Sequence, residues 1–165
     1  MMTSSILIAA GFIVAQALPA GPQTIVTEVA PEALPAGVVS VVLASSPGLT
    51  VTGAERKERE GRVYFDVAGT RPDGAEIELD VQQIADGYSV VEIQRDMTFD
   101  QMPPAVQAAA ERATGGVAPA RIIESVQQDG AAIFELFAAG QPLEPAIEVR
   151  WSNDQATLLT ERWPH

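Results

Sequence analysis

The chain has 165 residues, 22 of them acidic against 10 basic, for a formal net charge of −12, with no cysteine and one histidine, His165. That balance excludes nucleic acid as a partner, because phosphate contacts need clustered cations, and it disfavours anionic membrane surfaces. The missing cysteines rule out disulfides, thiolate metal sites and cysteine nucleophiles. A histidine at the last position leaves any interior site without the commonest general base and metal ligand.

Residues 1–20 carry no charged side chain, and Ile6 to Leu18 is almost wholly apolar. Thirteen residues of helix span about 20 Å, short of the roughly 30 Å hydrocarbon core. The length suits a secretory signal peptide, with the small-x-small pattern Ala15-Gln16-Ala17 placing cleavage after Ala17 or after Ala20. The n-region lacks Lys and Arg, and a buried N-terminal helix or strand is the alternative reading. The prolines at 19, 22, 31 and 35 make residues 21–33 an extended leader, with room for a short strand at Thr24–Val29.

The remainder reads as one unit repeated. Leu34-Pro35-Ala36 answers to Met102-Pro103-Pro104, Tyr64-Phe65-Asp66-Val67 to Ile133-Phe134-Glu135-Leu136, and Ile77-Glu78-Leu79-Asp80 to Ile147-Glu148-Val149-Arg150. Val90 to Arg95 answers to Thr157 to Arg162, and the offsets run 68, 69, 70 and 67 residues. After Pro35 the run Val38, Val39, Val41, Val42, Leu43 favours a strand by β-branching, yet its counterpart Pro104 to Ala113 is alanine-rich. Both are therefore expected to be helices, stopped by Pro47-Gly48 and Gly115-Gly116.

Beyond each helix the apolar period becomes two. Val63, Phe65 and Val67 alternate with Arg62, Tyr64 and Asp66, and Ile77, Leu79 and Val81 with Glu76, Glu78 and Asp80. Phe134 and Leu136 flank Glu135, and Ile147, Val149 and Trp151 alternate with Glu148 and Arg150. The period marks antiparallel strands with one wet face. Glu60-Gly61, Pro72-Asp73-Gly74, Asp86-Gly87, Asp129-Gly130 and Asn153-Asp154 supply the turns. The expected fold is α+β: two repeated units, residues 34–97 and 104–165, joined by a linker at 98–103. Each unit is a helix packed on an antiparallel sheet of about four strands.

The helix opener Leu34-Pro35-Ala36, the strand Arg62-Val63-Tyr64-Phe65-Asp66-Val67, the strand Ala75-Glu76-Ile77-Glu78-Leu79-Asp80 and the Asp86-Gly87 turn resemble the PepSY group. The chain is similar specifically to the tandem PepSY-like domains of β-lactamase-inhibitory-protein-like sequences, over about residues 33–163. The resemblance implies an exported, non-catalytic module that binds proteins or peptides and in some members inhibits an enzyme. It assigns no binding residue here.

Three groups of side chains are candidates for chemistry. Glu76, Glu78 and Asp80 share a strand face with Asp66 and Glu92 on neighbouring strands. Such a row can take Ca²⁺ or act as an acid/base pair, but it is read as a solvated face. The run Glu55 to Glu60 is read as a charged edge. Tyr64, Phe137 and Trp163 are the candidate binding residues, as aromatics expected on the outer sheet faces; closing an interface between the units is the alternative. No nucleophile–base pair and no phosphate-binding loop is present, so no catalytic residue, metal or cofactor is assigned.

The expected protein is exported to a periplasm or beyond, monomeric, not an enzyme and without a membrane span once the signal is removed. Its expected partner is a protein or peptide. The alternatives are a carrier of a small hydrophobic ligand, held between helix and sheet or between units, and a hydrolase working through the acidic face.

Overall fold

The structure, a computed structural model, describes residues 24–163. The signal-peptide reading of residues 1–20 and the opening of the leader lie outside the described residues. The elements are β1 (Ile25–Glu28), α1 (Ala36–Ser45), β2 (Thr50–Arg59), β3 (Arg62–Thr70), β4 (Glu76–Ile84), β5 (Gly87–Asp96), α2 (Pro104–Thr114), β6 (Arg121–Gln127), β7 (Ala132–Phe137), β8 (Ile147–Ser152) and β9 (Gln155–Leu158). Single 3₁₀ turns at Pro31–Ala33 and Phe99–Gln101 precede the two α-helices. No helix among the described residues is long and apolar enough to cross a membrane.

Each strand pairs antiparallel with the next, so the nine strands form one sheet in the order β1 to β9. This corrects the expected α+β arrangement of two repeated units, each with its own sheet of about four strands. β5 pairs directly with β6, from Glu92 opposite Gln127 to Asp96 opposite Ile123, across the expected unit boundary. β1, from within the expected leader, adds a further strand on β2. The physical reason is the sheet edge. A four-stranded sheet ends in rows of unpaired backbone N–H and C=O groups, and joining two such edges satisfies both. A strand's period-two pattern is the same at an edge as in the middle of a sheet, so alternation alone does not reveal which strand is last.

Both helices lie on one face of this sheet, α1 against β4 and β5, α2 against β8 and β9. In α1 the valines cost a little helix propensity. Val38 and Val42, one turn apart, are completely buried with Phe65, Val67, Leu79 and Val81, and each such burial contributes roughly 1.5–3 kcal/mol. Burial outweighs propensity. Under α2, Val106 and Ala110 pack with Ile122, Phe134, Leu136 and Val149, and Gly115 at φ 63° ends the helix. Met102, at the end of the expected linker, is buried in this second cluster.

Two hairpins use paired left-handed residues, Glu60-Gly61 (φ 52° and 75°) and Asn153-Asp154 (φ 52° and 59°). Such turns match the right-handed twist of the strands they join. Between β4 and β5 the register shifts, with Asp80 opposite Glu92 but Val81 opposite Val90. Val91 is the extra residue of a bulge, which bends β5 and increases its twist.

Candidate functional site

Opposite the helices the sheet forms a hollow of about 660 Å³, lined by Val26 of β1, Lys57 and Arg59 of β2, Arg62, Tyr64 and Asp66 of β3, Glu78, Asp80 and Gln82 of β4, Val91, Glu92 and Gln94 of β5, and Gln127 of β6. Alternation along each strand sends these side chains to the face away from the core, with Val91 joining Glu92 there through the β5 bulge, and the face is concave there.

Register places carboxylates opposite one another on five consecutive strands: Glu28 faces Glu55, Glu55 faces Asp66, Asp66 faces Asp80, and Asp80 faces Glu92. Like charges directly opposite each other destabilise a sheet by roughly 0.2–1 kcal/mol per pair. Burial deepens along the row, from exposed Glu28 and Glu55 to Asp66 and Glu92, which are 6% and 4% exposed. The bulge at Val91 brings Glu92 into line.

Two members are compensated. The Lys57 ammonium pairs with the Asp66 carboxylate. The Ser125 hydroxyl and the Gln127 amide, the latter at 3.0 Å, both donate to Glu92 Oε1. Asp80 is different: its Oδ1 is buried and is the one such side-chain atom among the described residues without a hydrogen-bond partner. Carboxylate oxygens of Asp66, Glu78 and Asp80 lie within 4.8 Å of one another.

Charge and burial act together on these groups. Burial, reinforced by the charges of Asp66, Glu92 and Glu78, pushes the Asp80 carboxyl up to about 8. Burial also raises Asp66, against the opposing effect of Lys57, and raises Glu78, with Asp66 the next contributor. Lys57 is lowered by its own burial but held above its ordinary value by the hydrogen bond and charge of Asp66. An ion pair alone would lower Asp66; its rise shows that burial and the neighbouring Glu55 and Glu92 outweigh one lysine.

At neutral pH the hollow therefore contains a protonated Asp80 beside a carboxylate already held by Lys57. A protonated carboxyl in such a place can donate a hydrogen bond, yield its proton to favour an incoming cation, or act as a general acid. Three acidic oxygens this close also offer hard ligands of the kind that hold Ca²⁺ or Mg²⁺, although Lys57 already occupies the Asp66 side.

The sequence-nominated residues are placed separately. Tyr64 lines the hollow, with the Arg59 guanidinium 5.8 Å from its ring centroid, a cation–π distance. Phe137 lies on the same sheet face, opposite Arg121, but is 6% exposed, with the Arg121 guanidinium 5.8 Å from its ring centroid. Trp163 is half-buried, and its backbone N–H donates to Glu148 Oε2 at 2.7 Å. These three do not form one cluster.

The acidic row was expected to be solvated; instead, its inner members are buried or half-buried in a hollow. The contributions of Ser125 and Gln127 carried no signal in the sequence, because their side chains reach Glu92 only through the β5–β6 pairing. No protein-family model matches the chain, and no curated protein matches it.

Proposed function

We propose that the protein is an exported, monomeric, non-catalytic binding module whose concave sheet face receives a protein or peptide segment bearing basic side chains. The observation that carries this reading is the in-register row of carboxylates, which the fold maintains at a cost in self-repulsion with one lysine against it. Lysine or arginine side chains of a partner relieve that repulsion, and Asp80 releases its proton as one enters. Tyr64 and Arg59 at the margin add a flat, amphipathic contact of the sort that anchors protein interfaces. The resemblance to tandem PepSY-like domains agrees with such a role.

The hollow's lining is largely charged and polar, and the space between α1 and the sheet is filled by Val38, Val42, Leu79 and Val81. A carrier of small apolar ligands gains no support from either place. Asp80 is the single observation favouring catalysis, as a protonated acid beside other carboxylates; turnover of chromogenic glycosides that disappears in Asp80→Asn would establish that second reading.

The binding reading is tested by selecting peptides from a displayed library on the folded chain. The selected sequences are expected to be enriched in Lys and Arg and to lose binding to a Tyr64→Ala/Asp80→Asn double variant. Selection of acidic or purely apolar sequences, or equal binding by the double variant, would refute it.

A further inference from the structure

The segment after β9 leaves the sheet edge and folds back onto Glu148, on the sheet face opposite the helices. The Leu159 N–H donates to the Glu148 carbonyl at 2.9 Å, extending the β8–β9 pairing by one bond. The chain then turns back, and the Trp163 N–H reaches Glu148 Oε2 at 2.7 Å. Arg162 Nη1 stands 3.7 Å from Glu148 Oε1, and Arg162 Nη2 stands 3.9 Å from Glu144 Oε2. One carboxylate thus uses both oxygens on the same short segment.

Glu148 is 4% exposed, and it sits directly opposite Glu135, itself 6% exposed. Two buried carboxylates side by side need a cation and hydrogen-bond donors nearby. For Glu148, Arg162 and the next backbone N–H supply them. The Arg162 side chain is itself half exposed, so solvent screens the pair and the hold is reversible.

We propose that Glu148 is a receptor site for an arginine-bearing peptide segment, and that residues Thr160, Glu161, Arg162 and Trp163 occupy it as a ligand carried on the same chain. The chemistry recognised is an arginine followed by a residue with a free backbone N–H: the guanidinium goes to one carboxylate oxygen and the N–H to the other. The strap keeps Glu148 covered until a segment of the same chemistry displaces it. The inference rests on the geometry at Glu148 and stands or falls independently of the carboxylate row on β1 to β5.

The test uses the full chain and a labelled peptide spanning residues 159–165 of this sequence. Arg162→Ala weakens the strap in cis without touching the sheet. The peptide should bind that variant saturably, at a dissociation constant of about 1 mM or tighter, the range over which a short tether competes. The wild-type chain should bind about tenfold more weakly, because its own segment competes at an effective concentration about ten times that dissociation constant. Adding Glu148→Gln to the Arg162→Ala chain should abolish binding.

A second measurement requires no peptide. Trypsin should cut after Arg162 about tenfold faster in Glu148→Gln than in wild type, at matched folded fraction by circular dichroism, because cleavage tracks local opening. The proposal is overturned by absence of saturable binding to Arg162→Ala at millimolar peptide, by equal binding to all three chains, or by wild-type cleavage after Arg162 as fast as in the free peptide.

Discussion

Replacing Asp80 with Asn should remove most of the pH dependence of stability between pH 5 and 9. Asp80 has its carboxyl raised from the ordinary 3.8 to about 8 by burial and by Asp66, Glu92 and Glu78. The unfolded chain loses that proton near pH 4, whereas the folded chain keeps it until about pH 8. Between those values the folded state holds the extra proton, so the stability associated with it is complete below pH 4 and lost as pH rises through 8. A shift of about 4 units at about 1.4 kcal/mol each sets an upper limit on the order of 6 kcal/mol. The hollow is open to water on one side, and relaxation around the ionised group brings the expected loss to about 2–3 kcal/mol. For a chain of this size that corresponds to a fall in Tm of roughly 5–10 °C from pH 5 to pH 9.

Asn keeps the size of the side chain and a hydrogen-bond donor but cannot ionise. Thermal and urea unfolding of Asp80→Asn, followed by circular dichroism at pH 5, 7 and 9, should show a much shallower decline. Asp66 and Glu78 are raised as well, so a residual slope of the same sign remains. Lys57, raised above its ordinary 10.5, contributes its own loss only at still higher pH. Wild-type stability that is flat or rises from pH 5 to 9, or a variant that declines as steeply as wild type, would refute the reasoning.

Other outcomes follow from the same geometry. Leu79→Ala, at a completely buried side chain beneath α1, should cost about 2–5 kcal/mol by urea unfolding. Leu143→Ala, at a residue 93% exposed, should stay within about 0.5 kcal/mol. Lys57→Met removes the charge that lowers both Asp66 and Asp80, so carboxyl-carbon NMR titration should show both midpoints moving upward; an unchanged Asp66 would contradict the ion pair.

Alternation in the sequence placed Tyr64, Asp66, Glu78 and Asp80 on one sheet face and Phe65, Val67, Leu79 and Val81 on the other, as the structure has them. Comparing the two halves also identified α1 as a helix against its valine content, because its counterpart Pro104 to Ala113 is alanine-rich. What alternation does not encode is pairing between strands distant in sequence. Whether β5 is an edge depends on β6, more than twenty residues further on, and the same pairing supplies Ser125 and Gln127 to Glu92. The in-register carboxylate row was illegible for a related reason: it requires the Val91 bulge, and shifting the register by one residue would turn Glu92 to the other face. Phe137 was placed on the correct face, but its burial beside Arg121 is a property of the assembled sheet.

The central claim is that the concave face binds basic segments. Its most direct test is an amide chemical-shift titration of the ¹⁵N-labelled chain with a lysine-rich peptide free of arginine, alongside an acidic peptide of equal length. Saturable shifts confined to the concave-face residues of β2 to β5, weakened in Glu92→Gln and absent with the acidic peptide, are the predicted result. Shifts centred on the helix-covered face, or equal responses to both peptides, would contradict the account.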